Sequence, residues 1–479
     1  MEPIIQYAYY TDITLTLLDL FFAIAVLIVA GIWGYMVQNK NPELHYRFYT
    51  RALIIKIVSA MIFCLLYLTY YEGDTLDYFH GMNALNRVGG QNIDHYFDLL
   101  FQGNKPEFFS YFNAETMYPD RHMWRDPKSF FVIRFLSPFA LLGFGSYMIT
   151  TLIISFVSFF FLWKMYITFA RLYPQIDFKI AIAILFMPSV LFWGSGILKD
   201  TIIMSSVAVF TTVFLKMAVA GKYRITSILS LVLASWLMIT IKAYVFVAMI
   251  PGAAIWFAHG RILRIKSRFF RYATFPVAIS VFLFLGILMI SQMGASLGEY
   301  GSMDKMVKKA QLTQDDLKRG EQYGNNYYDL GKIENTPGAM IRVMPQAVIA
   351  GLYRPFIWES RNPFVALSGL ENLFTLLLTI SILIRTKIYK VFSFIGKDPV
   401  LIFAIIYTIM FAFGIGLASA NFGALVRYRI PGMPFLMLSL FILDYYLGRD
   451  KQIKMSEHQI NIEKASLIDI IEKPKVRGF

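Results

Sequence analysis

Apolar runs of roughly 17–25 residues recur between residues 13 and 447, each long enough to cross about 30 Å of hydrocarbon as one helix. Lipid offers backbone N–H and C=O groups no partners, so such runs must cross as helices that bond within themselves. The expected fold is therefore all-α, a polytopic membrane protein of about eleven transmembrane helices. Composition agrees: 57% of the 479 residues are hydrophobic and 16% charged, against about 45–50% apolar and 25% charged in soluble domains. The spans fall near residues 13–36, 52–70, 144–166, 179–197, 201–219, 225–241, 243–259, 273–294, 364–385, 399–418 and 428–447.

A formal charge of +14 raises the question of nucleic acid. The basic residues, however, lie in short clusters between apolar runs, such as Arg261, Arg264, Lys266, Arg268 and Arg271, or Arg385, Lys387, Lys390 and Lys397. That pattern sets topology, so no nucleic-acid partner is expected. With these spans every cluster falls on one face. The positive-inside rule makes that face cytoplasmic, with the N-terminus outside and the C-terminus inside. The single cysteine, Cys64, lies within an apolar run and permits no internal disulfide. The first run lacks a basic lead and a small-residue cleavage site, and reads as a retained span.

Residues 1–448 thus form a transmembrane domain and 449–479 a polar cytoplasmic tail. Two long segments, 71–143 and 295–363, are left on the outer face. The first carries nine carboxylates against five Lys and Arg between residues 71 and 128, and ends in "SFFVIRFLSPFALLGFG". Pro138 and the glycines break that stretch, so it is expected to lie along the interface or dip into it. The second is charge-balanced and reads as a solvated connection or a lid.

The stretch "YEGDTLDYFH" puts Glu72, Asp74, Asp77 and His80 where the chain leaves the second span. Asp74 and Asp77 share a helix face and His80 continues it, while Gly73 offers a sharp exit from the membrane. Read alone, this is a solvated helix start with carboxylates favoured by the dipole. Its company points elsewhere. "FWGSGILKD" brings Trp193, Lys199 and Asp200 to an outer turn, and "TIKAYV" brings Lys242. "LYRPFIWE" brings Arg354, Trp358 and Glu359, with Glu371 inside the next run, and "VRYRIPGMP" brings Arg427, Tyr428 and Arg429. Charge at membrane depth costs a few kcal/mol or more per residue, so it faces a cavity and has a partner. These groups either pair locally, as Lys199 with Asp200 or Arg354 with Glu359, or line an outward cavity for an anionic substrate.

Glu72, Asp74, Asp77 and His80 crowd into nine residues, a spacing that rarely converges on one ion, so no metal is expected although Mg or Mn chemistry is conceivable there. No glycine-rich phosphate loop ending in Lys-Ser/Thr suggests an ATP-driven pump, and no Gly-x-Ser-x-Gly suggests an acyl-transfer serine.

The acidic opening of the first outer loop, the aromatic and basic residues at outer helix ends, and the late Arg-Tyr-x-x-Pro-x-x-Pro segment resemble the GT-C superfamily of membrane glycosyltransferases. "GDTLDYF", "FWGSGILKD", "LYRPFIWE" and "VRYRIPGMP" are similar to segments of bacterial envelope-polysaccharide proteins of that type. The acidic loop follows the second span here, where those enzymes place it after the first. The resemblance implies a multi-pass protein of the bacterial inner membrane that moves a sugar from a polyprenyl-phosphate donor to an envelope glycan or lipid, with no cofactor. It implies Asp74 as general base, with Asp77 or Glu72 orienting the acceptor or taking that role. Arg427, Arg354, Lys199, Arg429 and Lys242 would meet the donor phosphate. His80, Trp193, Trp358, Glu359 and Tyr428 would contact substrate, although such aromatics also serve as interface anchors. Competing expectations are a polysaccharide polymerase or ligase with the same cavity, a lipid-linked glycan transporter or flippase, and a scaffold subunit of an export complex.

Overall fold

The computed structural model describes residues 3–71, 73–220, 224–263, 308, 311–312, 315, 327–328, 330, 337–360, 363–419 and 421–472. The expected span at 273–294, most of the segment 295–363, and Glu72 lie outside them.

The described residues are mostly helical, and their one sheet is a hairpin of two-residue strands in which Ile5–Gln6 (β1) pairs antiparallel with Thr14–Leu15 (β2). Helix α1, Leu17–Lys40, opens with a reciprocal cap. Thr16 accepts from the Asp19 backbone, and Asp19 accepts from the Thr16 backbone at 2.8 Å. Helix α2, Tyr49–Thr69, is 21 residues long and so spans about 30 Å. Before its first turn His45 and Arg47 meet Asp177, and beyond its last turn comes Asp74. The two ends of the bundle are thus each marked by charge.

The described residues of segment 71–143, expected on the outer face, are folded rather than loose. They form α3 (Asp74–Gln91), α4 (Ile93–Gln102), the short α5 (Arg121–Arg125) and α6 (Pro127–Leu142). Helices α3 and α6 pack together, burying Leu76, Phe79 and Met82 of one and Phe130, Ile133 and Leu136 of the other. The apolar stretch expected at the interface is therefore half committed to this packing. Leu141, Leu142 and Phe144 remain exposed at its end. Gly73 turns out to be extended, and a Cβ there would meet the Tyr67 ring at 3.6 Å, an ordinary contact. The exit from the membrane does not need its glycine.

Helix α7 (Tyr147–Leu172) is capped by Ser146, whose hydroxyl also reaches Asp19 and so ties the starts of α1 and α7 together. The expected span at 179–197 is not one helix. It is α8 (Asp177–Ala181), a π-helical turn at Ile182–Phe186, and α9 (Pro188–Trp193). Pro188 disfavours helical backbone at Met187, which is extended. The chain then runs irregularly to α10 (Lys199–Ala220). Its carbonyls are met by side chains. Ser195 serves Leu191, Thr201 serves Gly196, and Lys56 and Ser158 both serve Gly194.

Helix α11 (Ile225–Leu263) breaks at Lys242, whose backbone (φ −142°, ψ 75°) is not helical. After it come α12 (Pro337–Tyr353), α13 (Pro363–Arg385), α14 (Ile388–Lys397) and α15 (Pro399–Ala418). The last expected span begins late. Helix α16 (Phe422–Tyr428) ends at a turn carrying Pro431 and Gly432, and α17 (Met433–Glu472) leaves it at 69°. Among the described residues seven helices are long and apolar enough to cross a membrane, eight if that bent pair counts as one span. The protein is an all-α, multi-pass membrane protein.

Candidate functional site

Helix starts and breaks bring the charged groups together. Asp74 opens α3, Lys199 and Asp200 open α10, Lys242 sits at the break in α11, and Arg427 lies in the last turn of α16. Arg427 donates from Nη2 to Asp74 Oδ2 at 2.8 Å and from Nε to Asp200 Oδ2 at 2.7 Å. Lys242 donates to the other oxygen of Asp200. The side chain of Asp200 is fully buried, so both its oxygens need these cations. The Lys242 ammonium also sits 4.3 Å from the centre of the Tyr428 ring, a cation–π contact that desolvation strengthens.

Lys199 turns away from its neighbour Asp200. It donates to Asp126 Oδ2 at 3.0 Å and to the Ser129 hydroxyl at 2.8 Å. Asp126 caps α6 through the backbone of Lys128 and Ser129. Three carboxylates (Asp74, Asp200, Asp126) thus meet three cations (Arg427, Lys242, Lys199). The constellation is electrically balanced.

Asp74 is its open member. One oxygen is held by Arg427, and 43% of the side chain is exposed. Burial among protein atoms pushes the Asp74 carboxyl up, but the Arg427 guanidinium more than offsets this and holds it below the usual carboxylate range. Asp77, one turn on, goes the other way. Burial raises it, with Asp120 and Asp74 adding to the effect, and the hydroxyl of Tyr10 donates to it at 2.7 Å. Two carboxylates on one helix face are thus shifted in opposite directions.

His80 belongs to a separate clasp. Its Nδ1 lies 2.7 Å from Asp12 Oδ1 and its Nε2 lies 2.9 Å from the Tyr118 carbonyl. Both partners only accept, so both ring nitrogens carry protons if both bonds form. Tyr10 stacks on the ring at 4.1 Å, and Asn83 donates to Asp12 at 3.1 Å. The N-terminal segment is in this way pinned over α3.

The remaining cations, Arg429 and Arg354, meet one another through a backbone carbonyl. Arg429 is only 1% exposed; it donates to the Arg354 carbonyl at 3.2 Å and lies 3.6 Å from Glu371. Glu371 accepts from the backbone and hydroxyl of Ser189. Arg354 pairs with Glu359 at 3.3 Å, the local pairing open to it from the sequence. Trp358 is 71% exposed and stacks on Phe356 at 4.8 Å, while Trp193 is half-buried against Phe63 and Phe192.

The structure therefore joins Asp74 to Asp200 through Arg427 and Asp200 to Lys242, with Lys199 paired to Asp126, while Arg354 and Arg429 form a separate group with Glu359 and Glu371. It sets His80 and Asp77 in the clasp and leaves Trp358 at the surface. Asp126, Tyr10 and Asp12 are members that sequence reasoning left out of the site, and Asp200 was seen at its outer turn only as a possible partner of Lys199. Among the described residues no group of three or more His, Cys, Asp and Glu is arranged to hold a metal. In comparisons with known proteins, no family model, no curated protein and no solved structure matches the chain.

Proposed function

We propose that this protein is a membrane glycosyltransferase, of GT-C-like architecture with about eleven spans, that moves a sugar from a polyprenyl-phosphate-linked donor to an envelope glycan or lipid acceptor. The charge constellation would face the extracytoplasmic side. The observation that carries the reading is Asp74, a half-exposed carboxylate fixed through one oxygen by Arg427.

In this reading Asp74 takes the proton of the acceptor hydroxyl as its oxygen attacks the anomeric carbon, and the bond from that carbon to the phosphate oxygen breaks. The two charge changes are coupled. As Asp74 gains its proton it loses its charge, and Arg427 is freed to stabilise the charge growing on the leaving lipid phosphate. Lys199, 18% exposed, stands beside it. The proton that Asp74 gains offsets the negative charge that the leaving phosphate gains, so the net charge of constellation and donor does not change during the exchange.

A second reading, a lipid-linked glycan transporter, is favoured by the helix broken at Pro188 and by Lys56, a fully buried lysine bonded to the broken segment. Purified protein in liposomes with radiolabelled polyprenyl-phosphate sugars and extracted envelope lipids separates the two. Transfer of label to an acceptor, lost in Asp74→Asn while that variant stays folded, supports the transferase. Movement of intact donor across the bilayer without transfer supports the transporter, and undiminished transfer by Asp74→Asn removes Asp74 from the mechanism.

A further inference from the structure

Helix α14 joins two membrane-crossing helices, Val365–Arg385 and Pro399–Leu417, with so few residues that it cannot leave the bundle end. Its ten residues, "IYKVFSFIGK", contain no acidic group. They divide into three faces. Val391 is buried and Phe394 stacks on Tyr446 of α17, so this side is committed to protein. Ile388 and Phe392, one helical turn apart, are exposed, Phe392 by 66%. Ser393 and the exposed Lys397 lie on the third side. Tyr389, also exposed, stands between the apolar and polar sides, where a tyrosine sets its ring in lipid and its hydroxyl in headgroups.

Four residues before Ile388 the membrane-crossing helix α13 ends in the exposed Leu383 and Ile384. An exposed apolar side so close in the chain to a membrane-crossing helix meets the same lipid. Charge then selects the lipid. Arg385 and Lys390 are spent on Asp444 and Asp450, whereas Lys387 and Lys397 are exposed at the two ends of the helix. We infer that α14 lies in the lipid–water interface and binds anionic phospholipid headgroups through Lys387 and Lys397, with Ile388 and Phe392 seated among the acyl chains. This rests on the membrane fold alone and not on the proposed transfer.

The single cysteine makes the test direct. In a Cys64→Ala background, Phe392→Cys carries a bimane label in vesicles of phosphatidylcholine mixed with phosphatidylglycerol, with either lipid bearing a nitroxide. The expected result is quenching by both lipids and a preference for phosphatidylglycerol that falls about fivefold with each of Lys387→Gln and Lys397→Gln. Ser393→Cys should instead be quenched by a water-soluble nitroxide, which guards against a label that displaces the helix. Quenching of the Phe392 label only from water, equal quenching by the two lipids, or shielding from both lipids by a second copy of the chain would each overturn the assignment.

Discussion

Arg427 reaches back 353 positions in the chain to Asp74 and 227 positions to Asp200, one carboxylate at the surface and one sealed inside. A single guanidinium therefore joins the start of α3 to the start of α10. A planar fork with separated donors suits two carboxylates on distant elements better than an ammonium, whose charge is concentrated at one point. Arg427→Ala is expected to cost about 3–5 kcal/mol, because Asp200 stays buried with Lys242 as its one remaining cation. Arg427→Lys should recover part of this and lose the coupling to Asp74. Thermal unfolding in detergent of Arg427→Ala, Asp200→Asn and the double variant checks it, and strictly additive losses would contradict a shared network.

Acid should loosen the α6 end of the constellation. Burial raises the Asp126 carboxyl, yet the Lys199 charge and the bonds from Ser129, Lys199 and the Lys128 backbone bring it down to about 2, from 3.8. A carboxyl depressed in the folded state contributes stability above its unfolded value and loses it as pH falls towards the folded one. The window here is 3.8 down to about 2. Wild type should be more stable than Asp126→Asn above that window, and the two melting curves should converge on acidification. A gap that stays constant across the window would show that the charge is irrelevant.

How far these contacts could be read beforehand follows from their chemistry. Asp74 was legible because a carboxylate at the end of a long apolar run is costly and needs a partner. The partner of Lys199 was not, since adjacency suggested Asp200. Neighbours along a helix point in different directions, so Asp200 turns inward to Lys242 and Arg427 while Lys199 turns to Asp126. Tyr10 and Asp12 meet Asp77 and His80 only because a short hairpin folds the N-terminus over α3, and nothing in "YYTDIT" marks that. The break at Met187 was visible as Pro188, but an apolar run long enough to span masks a proline within it. Gly73 shows the opposite error, a glycine credited with a turn that any residue could make there.

The turn before Lys199 depends on a different glycine. A Cβ at Gly196 would run into the ring of Phe63, which is itself fully buried. Gly196→Ala should cost about 1–3 kcal/mol through overpacking and shift Lys199 and Asp200 with the turn. Phe63→Leu, harmful alone because it empties space, should become milder beside Gly196→Ala. If the double variant is no better than the sum of the two singles, steric conflict with Phe63 is not the reason for the glycine.

Lys56 offers the sharpest contrast between a charge that seems essential and a carbonyl that is. It is fully buried in α2, and its bond is to the Gly194 carbonyl at 2.6 Å, which the Ser158 hydroxyl also reaches at 3.3 Å. Replacing a buried ammonium by an apolar chain of similar length removes a desolvation cost along with the hydrogen bond. Lys56→Met should accordingly change stability by no more than about 1 kcal/mol while Ser158 still serves the carbonyl. Ser158→Ala should be similarly mild while Lys56 remains. Together they leave a carbonyl of the broken segment without a partner inside a membrane protein, and the double variant should lose about 1–3 kcal/mol beyond the sum of the singles. Melting of the four proteins in one detergent measures that excess. A large loss in Lys56→Met alone would mean instead that the ammonium, and not the carbonyl it covers, is what the broken helix requires.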